Sequence, residues 1–183
     1  MNDTDASAWI FAYGSLMWNP GFAYLEERPA LLRGYHRAFC IFSHVYRGSE
    51  KKPGLVLGLD RGGACRGRAF RVLRAREAEV LAYLDGRERV TGVYRRRRLM
   101  VRVPEGRAPA HAYVADPTHD QYAGRVTPEA AARLIAECAG SAGTNREYFE
   151  ATLAHLETLG ISDDGLRRIR ARLETHASQA QRE

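Results

Sequence analysis

The 183 residues carry 28 Lys+Arg against 22 Asp+Glu, a formal net charge of +6, with 45% hydrophobic and 27% charged residues. That is ordinary globular composition, sufficient for one domain with a sizeable core, and it excludes wholesale disorder. Only Lys51 and Lys52 are lysines, so 26 of the cationic residues are arginines, spread along the chain rather than gathered in an arm. Such a modest excess suits an anionic metabolite or a nucleic acid equally, and charge by itself decides neither.

In chain order, Met1 to Ser7 is acidic and polar, without the basic and apolar regions of an export signal, and no stretch approaches the roughly 18 apolar residues of a membrane span. A cytoplasmic protein with no membrane partner is expected. Ala8 to Tyr13 reads as a buried strand that enters a tight turn at Gly14-Ser15, and Asn19-Pro20-Gly21 breaks the chain again. Further strands are predicted around Ala30–Val45, Gly54–Leu59, Cys65–Val72, Tyr94–Val103 and Ala108–Val114, which puts six strands in the first 115 residues. Between the fourth and fifth, Arg76–Leu84 has helical spacing at Val80, Leu81 and Leu84, and Gly86 stands where a C-terminal cap belongs. After Asp116-Pro117 the composition shifts. Thr127-Pro128-Glu129 reads as an N-cap with a first-turn proline, opening a helix through Ala139. Two more helices follow, from about Asn145 to Thr158 and from Ser162 to Thr175, with Gly160 between them and a polar tail at 176–183.

This order predicts an α+β fold, a small, mixed, mostly antiparallel sheet or barrel with flanking helices. We expect a single domain with a core of about residues 8–160, a C-terminal helix and tail over 161–183, and no separable second domain. Cys40, Cys65 and Cys138 are odd in number, far apart and free of any Cys-x-x-Cys pairing. They read as buried thiols in a reducing compartment rather than as a disulfide frame. His36, His44, His111, His119, His155 and His176 lack metal-ligand spacing, so no metal is expected. The run Arg95 to Arg98 alternates faces if it lies on a strand, so at most two of its arginines share a face; a solvated surface is the plainer reading. Its only close aromatic is Tyr94, which speaks against a single-strand nucleic-acid platform.

Two features suggest chemistry. Leu81, Leu84 and Glu88 share a helical face, so an apolar stripe ends in a carboxylate. Such a glutamate either pairs with Arg87, Arg89 or the Arg95–Arg98 run, or stays partly buried near the negative end of a helix with a raised pKa, as suits a general base. The turn Tyr13-Gly14-Ser15-Leu16 presents successive backbone N–H groups to an anion, or is simply a turn between elements. It matches neither a nucleophile elbow nor a phosphate loop, so Ser15 is a poor nucleophile candidate.

At these residues the chain resembles the ChaC-type γ-glutamylcyclotransferases. Ile10-Phe11-Ala12-Tyr13-Gly14-Ser15-Leu16-Met17-Trp18-Asn19-Pro20 is similar to the family's Y-G-S-L loop with its trailing W-x-P. Arg47-Gly48, Pro53-Gly54-Leu55-Val56-Leu57-Gly58-Leu59 and Cys65-Arg66-Gly67 follow. Leu84-Asp85-Gly86-Arg87-Glu88 then resembles L-x-x-R-E, and Asn145-Arg146-Glu147-Tyr148 resembles the late N-x-E-Y. The resemblance implies a small mixed barrel with flanking helices and a lyase that cyclises the γ-glutamyl group of glutathione, giving 5-oxoproline and cysteinylglycine, with no cofactor. It implies Glu88 as general base; Tyr13, Gly14, Ser15 and Leu16 as the loop holding the glutamyl moiety; and Tyr148 and Arg47 as substrate contacts. Family members often carry a bulky residue in place of Gly86 and a basic one in place of Asn19. The rival readings are a cyclotransferase acting on another γ-glutamyl amide, such as a γ-glutamylamine or an antibiotic intermediate, and a basic binding module without catalysis.

Overall fold

The structure is a computed structural model that describes residues 7–88 and 91–180. Five strands close into a barrel: β1 (Ser7–Ala12), β2 (Glu26–Ser43), β3 (Gly54–Leu73), β4 (Tyr94–Val103) and β5 (Gly106–Ala115), in the order β1-β3-β2-β4-β5. The sheet is mixed. β1 runs antiparallel to β3, and β4 antiparallel to both β2 and β5, while β1 and β5 meet in parallel at Trp9–Ala110 and Ile10–His111. The α+β class expected from the order of elements is the class observed.

The sequence predicts six strands where the barrel has five, because Gly54–Leu59 and Cys65–Val72 are halves of β3. The polar, glycine-rich segment between them reads locally as a break. Gly62 and Gly63, at φ 97° and 67°, take left-handed backbone that other residues adopt only with strain, so the strand turns there and continues. β1 reads as a continuous apolar run rather than an alternating one because both its faces are covered: Ile10, Phe11 and Ala12 are all buried.

The described residues fall into two compact units. The first, residues up to 36 with 59–116, contains β1, β4, β5 and α1 (Glu77–Glu88), which follows a 3-10 turn over Arg74–Arg76. Here the cap expectation fails. Gly86 lies inside α1 without a left-handed φ, and the helix runs two residues beyond it. Its buried side chains are Val80 and Leu84, and the next position in that i, i+4 series is Glu88. Leu81 is only half-buried, so the stripe follows Val80 rather than Leu81.

The second unit, residues 37–58 and those from 117 on, contains α2 (Pro128–Glu137), the hairpin β6 (Ala139–Gly140) and β7 (Gly143–Thr144), α3 (Asn145–Thr158) and α4 (Asp164–Ala180). Thr127 accepts the Ala130 N–H on its hydroxyl at 3.2 Å, with Pro128 in the first turn. Thr144 and Glu147 form a reciprocal capping box on α3, and Gly160, at φ 67°, follows its end. α4 starts two residues later than predicted and extends to Ala180, while 181–183 lie outside the described residues. Just before α4, Asp163 accepts the Leu166 N–H at 3.2 Å and pairs at 2.9 Å with the buried Arg37. Leu166, Ile169 and Leu173 form the buried stripe of α4, and α2 packs on both α3 and α4. Cys40, Cys65 and Cys138 are buried and form no disulfide among the described residues. No helix among the described residues is long and apolar enough to cross a membrane.

Candidate active site

β1 delivers Tyr13-Gly14-Ser15-Leu16 at its C-terminal end, where the chain tightens into a 3-10 turn over Ser15–Met17. The Met17 and Asn19 N–H groups donate to the carbonyls of Gly14 and Ser15, each at 2.9 Å, and Trp18 donates to Ser15 at 3.3 Å. Among the described residues, the N–H groups of Gly14, Ser15 and Leu16 have no acceptor. Three consecutive donors at the mouth of a turn can receive a carboxylate or a developing oxyanion. The side chains of Tyr13 and Leu16 are buried, so Leu16 offers a ligand its backbone and not its isobutyl group.

Across this turn lies the last turn of α1. Arg87 donates to the Ser15 hydroxyl through Nη2 and to the Asn19 carbonyl through Nη1, both at 2.9 Å, and reaches Tyr83 Oη at 3.5 Å. The contact to Asn19 uses its backbone, so the identity of that side chain does not touch this bond. Sequence reasoning named Arg87 only as a possible partner of Glu88; its position inside L-x-x-R-E was the signal for the larger role.

Glu88 follows. Its side chain is 19% exposed, and its nearest cation among the described residues is Arg87, with Nε 3.9 Å from Oε1, too long for a hydrogen bond. Burial holds its carboxyl above the usual glutamate range, and the Arg87 guanidinium offsets part of that shift. The helix C-terminus works in the same direction as burial. The other proposed partners are otherwise engaged or outside view: Arg95 pairs with Asp116 at 2.5 Å, Arg96 with Asp85 at 2.8 Å, and Arg89 lies outside the described residues. Glu79, on the opposite side, is exposed and paired with Arg76 at 2.6 Å. All four arginines of the 95–98 run are exposed on β4.

In the second unit the carried-over residues are differently occupied. Arg47 donates to the carbonyls of Ala142 at 2.5 Å and Thr144 at 3.2 Å, and its guanidinium lies 5.3 Å from the centre of the Tyr148 ring. Tyr148 accepts the Leu57 N–H on its hydroxyl at 3.3 Å and sits edge-on to Phe39. Asn145, fully buried, accepts the Leu55 N–H and donates to the Leu55 carbonyl, both at 2.7 Å. Gly48 and Gly54 are required for contact: a Cβ on Gly48 would stand 2.1 Å from the Gly54 nitrogen, and one on Gly54 would stand 2.2 Å from the Arg47 carbonyl oxygen. Arg47 and Tyr148 are thus brought together, as are the Tyr13–Leu16 turn and the end of α1 within their own unit. Among the described residues no group of His, Cys, Asp and Glu is gathered to hold a metal.

Comparison with known proteins adds three findings. The family model described as ChaC-like protein matches residues 8–176. The chain is 37% identical over 163 residues to the glutathione-specific γ-glutamylcyclotransferase of Escherichia coli K12, covering 88% of this chain and 71% of that one. It is 40% identical over 153 residues to glutathione-specific γ-glutamylcyclotransferase 1 of Homo sapiens, covering 80% and 69%. Its fold is similar to that of a crystallised glutathione-specific γ-glutamyl cyclotransferase from yeast, with a TM-score of 0.81 at 20% identity over 93% of this chain and 99% of that one.

Proposed function

The chain belongs to the ChaC-like protein family, and from that premise we propose that it is a glutathione-specific γ-glutamylcyclotransferase, a lyase releasing 5-oxoproline and cysteinylglycine. The α-amino group of the γ-glutamyl residue attacks its own γ-carbonyl carbon, closes a five-membered ring and expels the amine of cysteinylglycine. Both reacting groups belong to one molecule, so the enzyme's task is to hold the folded conformer and to move protons. Glu88 takes a proton from the substrate ammonium, which makes the amine nucleophilic, and returns one to the leaving nitrogen. The N–H groups of Gly14, Ser15 and Leu16 supply donors for the anionic oxygens of the glutamyl group or of the tetrahedral intermediate. Ser15 is held by Arg87 and needs no nucleophilic part. These proton transfers and the ring closure use no cofactor.

The observation that carries the assignment of the base is the environment of Glu88: a desolvated carboxylate with a raised pKa and no hydrogen-bond donor among the described residues, one residue from the arginine that binds the turn. A resting salt bridge would instead hold the carboxyl down and leave it a poor base. The test is mass-spectrometric detection of products from purified protein, exhaustively treated with chelator, and a panel of γ-glutamyl compounds. Glutathione is expected to give 5-oxoproline and cysteinylglycine. Release of free glutamate would mean hydrolysis, and turnover confined to a γ-glutamylamine would assign the same chemistry to another substrate.

A further inference from the structure

We propose that Asp85, gripped by Tyr113 and Arg96, is a positioning residue that aims Glu88 by fixing the last turn of α1 to strands β4 and β5. The inference rests on the functional reading above, since it concerns the aim of its general base.

Three observations carry it. First, the turn that ends in Glu88 contains Gly86, a weak helix former, with open space where its side chain would be. Gly86 contributes no packing to hold the turn, which Arg87 ties on one side to Ser15 and Asn19 and Asp85 ties on the other. Second, Asp85 receives one donor on each oxygen: Tyr113 Oη on Oδ1 at 2.7 Å and Arg96 Nη1 on Oδ2 at 2.8 Å. Arg96 and Tyr113 are directly opposite one another in the β4–β5 ladder, so their side chains leave the same face of the sheet and close on one carboxylate. Arg95, one residue earlier, is directed to Asp116 instead. Third, Asp85 and Glu88 are three residues apart, neighbours on the helix surface. Tyr113 is buried, and that burial together with the adjacent carboxylate pushes its phenol far above the usual range, so it remains a donor. With both oxygens occupied, Asp85 is an anchor and not a second base.

The test measures kcat and KM for 5-oxoproline formation in Asp85→Asn, Tyr113→Phe and Arg96→Gln, alone and combined with Gly86→Ala. Each single variant is expected to lose on the order of 10- to 100-fold in kcat, the penalty of a misaimed catalytic group, with KM within about twofold of wild type. Gly86→Ala, which stiffens the turn without meeting another atom, is expected to recover most of the kcat lost in Asp85→Asn. Tyr113→Phe keeps the buried ring, so it carries the test if a charge-changing variant fails to fold. Wild-type kcat in the folded variants, a raised KM with unchanged kcat, or no recovery with Gly86→Ala overturns the proposal. Wild-type protein that forms no 5-oxoproline from any γ-glutamyl compound overturns the functional reading as well, whereas active wild type with unaffected variants overturns only the anchor.

Discussion

Among the described residues, the turn after β1 and the end of α1 present polar groups without protein hydrogen bonds, whereas Arg47, Tyr148 and Asn145 each hold backbone groups. In the first, three backbone donors and a desolvated carboxylate have no protein hydrogen bond among the described residues. In the second, Arg47 holds two carbonyls of the β6–β7 hairpin region, Tyr148 holds the Leu57 N–H, and Asn145 satisfies both backbone groups of Leu55. Donors and a carboxylate free of protein hydrogen bonds are open to a ligand, so the proposed base and oxyanion donors lie in the first region; Arg47 and Tyr148 stay proposed substrate contacts that also tie backbone in the second. Motif resemblance alone does not separate the two, because both regions carry it.

The largest expected effect is on turnover in the first region. Glu88→Gln keeps volume and hydrogen-bonding reach but cannot take the ammonium proton, so 5-oxoproline formation should fall by about 10²–10⁴, roughly 3–5 kcal/mol in the barrier. Its stability should move the other way. Because the folded-state pKa of Glu88 is raised, the stability linked to its protonated form is fully present below the unfolded pKa and lost as pH rises through the folded one. At pH 7 Glu88→Gln should therefore melt at or above wild type, with the difference gone near pH 4. A lower melting temperature at pH 7 would place Glu88 among the architectural residues and erase the contrast.

Next in size is Asn145→Ala. It leaves the buried Leu55 N–H and carbonyl without partners, at about 1–3 kcal/mol each. The melting temperature should drop by ~2–4 °C for each kcal/mol lost at this chain length. Activity per folded molecule should hold; a selective loss of kcat with unchanged melting would move Asn145 from architecture to chemistry.

A smaller, directional effect is expected of Arg87→Met. Removing the guanidinium removes the influence that lowers the Glu88 pKa among the described residues, so the acidic limb of the kcat/KM–pH profile should move to higher pH. It also frees the Ser15 hydroxyl and the Asn19 carbonyl. A limb that stays in place would mean that Glu88 is not the group titrating. Smallest of all is Glu79→Gln: exposed and paired with Arg76, it should change neither turnover nor melting measurably.

Much was legible without coordinates because it is written in short-range chemistry. The buried run of β1, the Thr127-Pro128 cap, the start of α3 at Asn145 and the α+β order all follow from periodicity and capping, which act over a few residues. Glu88 was legible as a carboxylate at the end of an apolar stripe, and the turn at Gly14 as a glycine turn after a buried strand.

What the chain could not declare by itself depends on partners far along the sequence. Gly62-Gly63 reads as a strand end, and only ladder pairing on either side makes β3 continuous. Gly86 reads as a cap, and only the fixed surroundings of α1 carry the helix past it to Glu88. That Gly48 and Gly54 leave no room for a Cβ shows only in the backbone approach around them. Arg47 and Tyr148 carry family resemblance in sequence, but which groups they hold is set by residues about 95 and 91 positions away. Asp85, Arg96 and Tyr113 converge only because β4 and β5 place an arginine and a tyrosine opposite each other. Local propensity fixes which elements form; the register of a closed sheet decides which polar atoms find partners and which remain for a ligand.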